Sequence, residues 1–146
     1  MKGKVWQNKM NLFINSPTYY TQKHGVDDDI YKFCSFISRN IDVTKYTEYL
    51  DTIGIVPIIA PIDAIDDIKQ REDRHISTTY RFASISLLSD YDTYHSSDLV
   101  GKRQIIVDNI LRSLKVVKTR LKGKFNYDLM EKDIKYLAQK FGENSM

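Results

Sequence analysis

Between Ser97 and Lys122 the chain repeats apolar residues at three- and four-residue steps. Val100, Val107, Ile110, Leu114, Val117 and Leu121 form the stripe, and Ile106 and Leu111 widen it. That spacing lines one side of a 3.6-period helix. Ser96 or Ser97 offers a cap, and Asp98 stands where the helix dipole favours a carboxylate. Lys118, Arg120, Lys122 and Lys124 load the far end with cations, and Gly123 offers a stop. A helix over 97–121 is about 35 Å long, enough to span a small domain. It is a packing beam to which every other element must fit, not an active site.

The rest of the chain switches between two periods. Met10, Leu12 and Ile14 alternate with Asn11 and Phe13, which predicts a strand over 10–14, followed by a loop through Gly25. Ile30, Phe33, Cys34, Ile37 and Ile41 predict a helix over 27–40, opened by Asp27, Asp28 and Asp29. No second acidic cluster completes a cation shell there, so the three carboxylates read as a helix-dipole device. Residues 42–52 suit a short helical turn capped by Asp42 or Thr44. Residues 54–62 are apolar on both faces and predict a buried strand, with Pro57 at a bulge or facing no neighbour. Residues 75–88 predict a second long strand, paired with 54–62 as an antiparallel hairpin. Residues 63–74 read as a loop or a single helical turn, and residues 89–96 as a loop. Asn126 caps a last helix over 127–141, with Phe125 and Met130 as its hydrophobic staple and Gly142 as its stop. The expectation is one α+β domain over 1–146, a small antiparallel β-sheet of about three strands packed against three or more α-helices. Its core centres on Leu114, with Ile110, Val117, Phe82, Ile58, Phe33, Ile37 and Ile134 around it.

Composition narrows the class. At 146 residues, 42% apolar and 28% charged, the chain matches one ordinary soluble domain. The single cysteine, Cys34, permits no internal disulfide and fits a reducing compartment. The first residues lack the apolar run of a secretory signal, and residues 53–62 are too short and proline-broken to cross a bilayer. A cytoplasmic protein with no membrane partner is expected. Residues 1–68 carry 7 Lys/Arg against 9 Asp/Glu, whereas residues 69–146 carry 15 against 10. That asymmetry is mild for a nucleic-acid binder.

Catalytic constellations do not emerge. The six glycines are isolated, so no phosphate-cradling loop is present. His24, His75 and His95 lie far apart with no metal-ligand spacing. Cys34 falls on an apolar helix stripe with no base or cation cluster to activate it. Neither catalytic residues, cofactor nor metal are expected. Arg71, Arg74 and His75, with Arg81 and His95, suggest phosphodiester chemistry only if they converge in a pocket, and Glu72 and Asp73 neutralise them locally. Arg112, Lys115, Lys118 and Lys122 are helically spaced. They define the alternative reading, a nucleic-acid-binding regulator using the basic helix face 112–124. Tyr91 and Tyr94 stand beside Asp90 and Asp92, while Asp63, Asp66, Asp67, Arg71 and Arg74 crowd the other loop. Tyrosine interleaved with carboxylate on loops suits a protein partner, since tyrosine offers large contact area at low entropy cost.

The second half of the chain also resembles a known family. Arg81–Phe82 in a strand, Asp90–Tyr91 after it, Asn109–Ile110–Leu111–Arg112–Ser113–Leu114 in a helix and Lys122–Gly123–Lys124–Phe125–Asn126 in a turn are similar to immunity proteins of bacterial polymorphic-toxin and contact-dependent inhibition systems. The likeness covers about residues 50–140. It implies a non-catalytic protein, encoded beside a toxin, that binds its cognate toxin domain in the cytoplasm. On that reading Asp63, Asp66, Asp67, Arg71, Arg74, Tyr91, Asp92 and Tyr94 face the toxin, with the two tyrosines as anchors.

Overall fold

The computed structural model describes residues 11–15, 18–19, 28–60 and 72–144. Their architecture is α+β, as the two periodicities predict. In chain order the elements are β1 (Leu12–Ile14), β2 (Thr18–Tyr19), α1 (Asp28–Arg39), β3 (Thr52–Ala60), β4 (Asp73–Ser77), β5 (Phe82–Asp90), α2 (Tyr91–Ser96), α3 (Leu99–Leu121) and α4 (Tyr127–Asn144). Single 3-10 turns stand at Val43–Lys45 and Lys122–Lys124.

The sheet corrects the expected one. β3 and β5 are parallel neighbours, in register from Thr52–Phe82 to Ala60–Asp90. β1 and β2 lie parallel on the other side of β3. Only β4 runs antiparallel among the described strands, beside β5. The run 75–88 is therefore not one strand. It reverses at residues 78–81, where the Tyr80 N–H donates to Ser77 Oγ at 3.0 Å and Arg81 takes a φ of 62°. The Arg81 carbonyl then accepts from the Asp51 N–H at 2.8 Å, which seats the start of β5 beside β3. Parallel neighbours cannot be joined by a tight turn, and α1 supplies the crossover from β1 to β3.

Pro57 interrupts the N–H series on the outer side of β3. The Asn15 N–H donates to the Ile55 carbonyl at 2.9 Å, so alternate residues of β3 turn their peptide groups toward β1. Pro57 is next in that series and has no N–H to give. Beyond it, Thr18 of β2 pairs with Ile58.

Strand alternation also re-sorts the expected core. Leu12, Ile14, Ile53, Ile55, Ile59, Ala83, Ile85 and Leu87 are buried with α1 and α3 in one cluster. Leu114, Ile110, Val117, Phe33, Ile37 and Ile134 belong to it, as expected. Phe82 and Ile58 do not: Ile58 forms a separate small cluster with Val56 and Leu88, and Phe82 is only half-buried. Both are even-numbered residues on strands whose odd-numbered side chains meet the helices.

The helix ends differ in detail from the sequence reading. Asp98 itself caps α3, accepting from the Gly101 N–H at 2.8 Å, and Ser96 and Ser97 instead bond back to the Thr93 carbonyl in α2. Asn126 caps α4 through the Leu129 N–H at 3.2 Å, and its staple residues Phe125 and Met130 are both buried. α4 passes through Gly142 to Asn144. Of the acidic trio, Asp28 pairs with Lys32, while Asp29 makes a two-point ion pair with Arg103 across to α3.

Two carboxylates fasten the segment after α1. Asp133 on α4 accepts from the Tyr46 hydroxyl at 2.6 Å and from Lys45 Nζ at 3.1 Å; those bonds, Tyr46 first, hold its carboxyl below the usual range. Asp42 accepts from Asn11 Nδ2 and from the Thr44 hydroxyl and N–H, and is held low in the same way. A depressed folded-state value contributes stability above the unfolded carboxylate value of about 3.9, lost as pH falls through the folded one. The melting temperature should therefore fall below about pH 4, and Asp133→Asn should flatten that fall relative to wild type in melts between about pH 3 and 7. Equal acid slopes for the two proteins would remove Asp133 from the account.

Candidate partner-binding surface

Parallel register brings the carboxyl ends of β3 and β5 out together, because Ala60 pairs with Asp90. β4 begins near the same end, with Asp73 opposite Ser86. Tyr91 and Asp92, at the start of α2, therefore stand at the end of the sheet where β4 begins.

Asp63, Asp66, Asp67 and Arg71 lie outside the described residues. Arg74 is on β4, exposed, with its guanidinium 3.7 Å from Glu72. The other Glu72 oxygen accepts from the Leu88 N–H at 2.8 Å, pinning the start of β4 to β5. Residues 91–96 are not a loop but the helix α2, capped by Asp90 through the Thr93 N–H and hydroxyl, each at 2.8 Å. Residues three apart share a helix face, so Tyr91 and Tyr94 turn inward while Asp92 turns out. Asp92 is exposed, and Tyr91 is half-buried with its ring 4.3 Å from that of His95. Tyr94 is 0% exposed, deep in the main cluster, with Lys102 Nζ 5.5 Å from its ring. It is a core residue and offers a partner no anchor, which corrects the expected role. Tyr80, at the turn closing β4 onto β5, is 80% exposed instead. No period marked it, because a turn residue has none.

Of the residues considered for phosphodiester chemistry, Arg74 and His75 line one groove, whereas Arg81, bound to Asp51, and His95 are not part of it, and Arg71 lies outside the described residues. Arg74 pairs with Ile85 on the helix-covered face, and the next residue, His75, is stacked on Phe82 at 5.1 Å on the other. His95 lies in α2, its ring against those of Tyr91 and Tyr94 at 4.3 and 5.3 Å. Burial pushes the Cys34 thiol up to about 12, so it stays protonated at neutral pH. Among the described residues no three His, Cys, Asp or Glu lie close enough to hold a metal ion, and no helix is long and apolar enough to cross a membrane.

The basic face of α3 is also redistributed. Lys115 and Lys118 lie over the Tyr127 ring toward α4, at 6.0 and 5.2 Å. Arg112 donates to the Leu88 carbonyl at 2.9 Å. Arg120 and Lys122 instead line a groove of about 640 Å³ between α3 and β4, with Arg74, His75, Ile76, Val116 and Thr119. The expected basic series does not form one continuous track.

The class of protein is given by a family match, to immunity proteins. The chain belongs to the immunity protein 44 family, whose family model matches residues 10–140. No curated protein and no solved structure matches it.

Proposed function

We propose that this protein neutralises a cognate toxin domain by stoichiometric binding, in the cytoplasm of the cell that makes both, and performs no chemistry on it. The observation that carries the reading is the family match, which spans nearly the whole chain. An interface of the usual size would bury on the order of 1,600 Å² in total. We assign it to the carboxyl end of the parallel strands and the adjoining β4: Arg74, Tyr91 and Asp92, extended by Asp63, Asp66, Asp67 and Arg71. The exposed charges act mainly on the rate of association.

The test is titration of the toxin domain encoded beside this gene with purified protein. Toxin activity should fall linearly to zero at about one equivalent, with a complex of matching stoichiometry in solution. Inactivation by a small fraction of an equivalent would mean a catalytic antidote, and no complex would sink the proposal. Asp92→Lys should slow association several-fold at low salt while leaving dissociation nearly unchanged.

A further inference from the structure

We propose that the toxin is gripped at the β4 edge, where an acidic extended segment adds as a strand beside β4 and its carboxylates settle against the cations of the β4–α3 groove. This rests on the reading of the protein as a toxin neutraliser and supplies the recognition chemistry which that reading lacks.

Three observations carry it. The first is the direction of the backbone groups. The Leu88 N–H bonds Glu72 on the β4 side, while the Arg81 carbonyl faces β3. Even-numbered residues of β5 therefore turn their peptide groups to β4, so Ser77–Phe82, His75–Ser84 and Asp73–Ser86 carry the ladder. Arg74 and Ile76 accordingly present their N–H and C=O groups outward. Among the described residues nothing pairs with that edge. An open edge of this kind recognises an extended peptide and gives a nucleic acid little to read.

The second is charge. Arg74 on β4 faces Arg120 and Lys122 at the end of α3 across a groove whose lining includes the apolar Ile76 and Val116. No described residue forms an ion pair with Arg120 or Lys122, and Glu72 stands 3.7 Å from Arg74.

The third is backbone strain at the groove wall. Lys122 holds φ 58° and ψ −128°, a region that glycine occupies freely and side chains avoid, although a glycine stands next to it at 123. Strain kept at a lining lysine is what a binding role for its ammonium accounts for.

The experiment measures binding of the purified toxin domain encoded beside this gene, by calorimetry at physiological salt, for variants with wild-type circular dichroism. Arg74→Pro removes one outward N–H and one cation and leaves the β4–β5 ladder intact, since proline is tolerated on an edge. It should weaken binding about thirtyfold or more, and Arg74→Ala by less. Arg120→Glu with Lys122→Glu should weaken it at least about tenfold. Lys122→Gly should raise the melting temperature by about 3 °C and still weaken binding, a split that no purely structural role produces. Lys132→Glu, an exposed change on α4, should leave affinity unaltered. If Arg74→Pro does not fold, the Arg120–Lys122 reversal and Lys122→Gly decide. A folded Arg74→Pro or charge-reversed protein that binds the toxin within threefold of wild type overturns the inference but not the function. A wild-type protein that binds no toxin overturns both. Salt-steep binding of single-stranded RNA, or dimers broken by Arg74→Pro, with toxin affinity unchanged in the variant, would give the groove to another ligand.

Discussion

Leu114→Ala is expected to destabilise the protein by about 2–5 kcal/mol, through lost transfer energy and the cavity left behind. Leu114 is fully buried on the face of α3 that packs on β3, β5 and α4, where rigid elements on several sides limit collapse around a void. In urea the midpoint should fall with the slope unchanged, because the surface exposed on unfolding barely changes. Val100→Ala is the internal comparison. Val100 lies on the same sequence stripe yet is 71% exposed. That variant should stay within about 0.5 kcal/mol of wild type. Equal losses at both positions would mean that the buried face of α3 is assigned wrongly.

Arg103→Ala is expected to cost about 2–3 kcal/mol, the other large effect. Arg103 donates to Asp29 through Nε at 2.9 Å and Nη2 at 2.6 Å, and its guanidinium lies 4.9 Å from the Phe141 ring centre. One side chain thus ties α3 to α1 and to the end of α4. The side chains are 13% and 27% exposed, so water screens the pair less than a surface bridge but does not leave it dry. Removing the arginine strands a half-covered carboxylate and uncovers an aromatic face. Arg103→Lys should recover part of the loss, since it keeps the charge and forfeits the fork. A double-mutant cycle with Asp29→Ala should give a coupling of about 1–3 kcal/mol. A coupling near zero would reduce the contact to packing.

The residues that carried the family resemblance prove to hold the frame. Asn109, fully buried, donates to the Leu87 carbonyl at 3.1 Å and to Ser89 Oγ at 3.2 Å, and Ser113 bonds back to the Asn109 carbonyl. Arg81 makes a two-point ion pair with Asp51, Asp90 caps α2, and Phe125 and Asn126 start α4. Each joins one element to the next. Such positions depend on the fold and not on which partner it meets, so a pattern built on them names the family and leaves the docking surface unmarked.

The sequence by itself determined whatever depends on residues a few positions apart. The α3 stripe, the α1 stripe, the Asp42 and Asn126 caps and the Phe125–Met130 staple are local patterns, and helices and caps form between near neighbours. Period-2 runs marked the strands but carried no information on direction, since alternation reads the same for parallel and antiparallel pairing. Only the tertiary structure decided that β3 lies parallel to β5, that 75–88 folds back at residues 78–81, and that Phe82 and Ile58 face away from the helices. It also decided that Tyr94 is core and that Arg74 meets Arg120 and Lys122 across a groove. Those residues are 46 and 48 positions apart, joined by a hairpin and two helices whose packing follows from burial of the whole apolar surface at once.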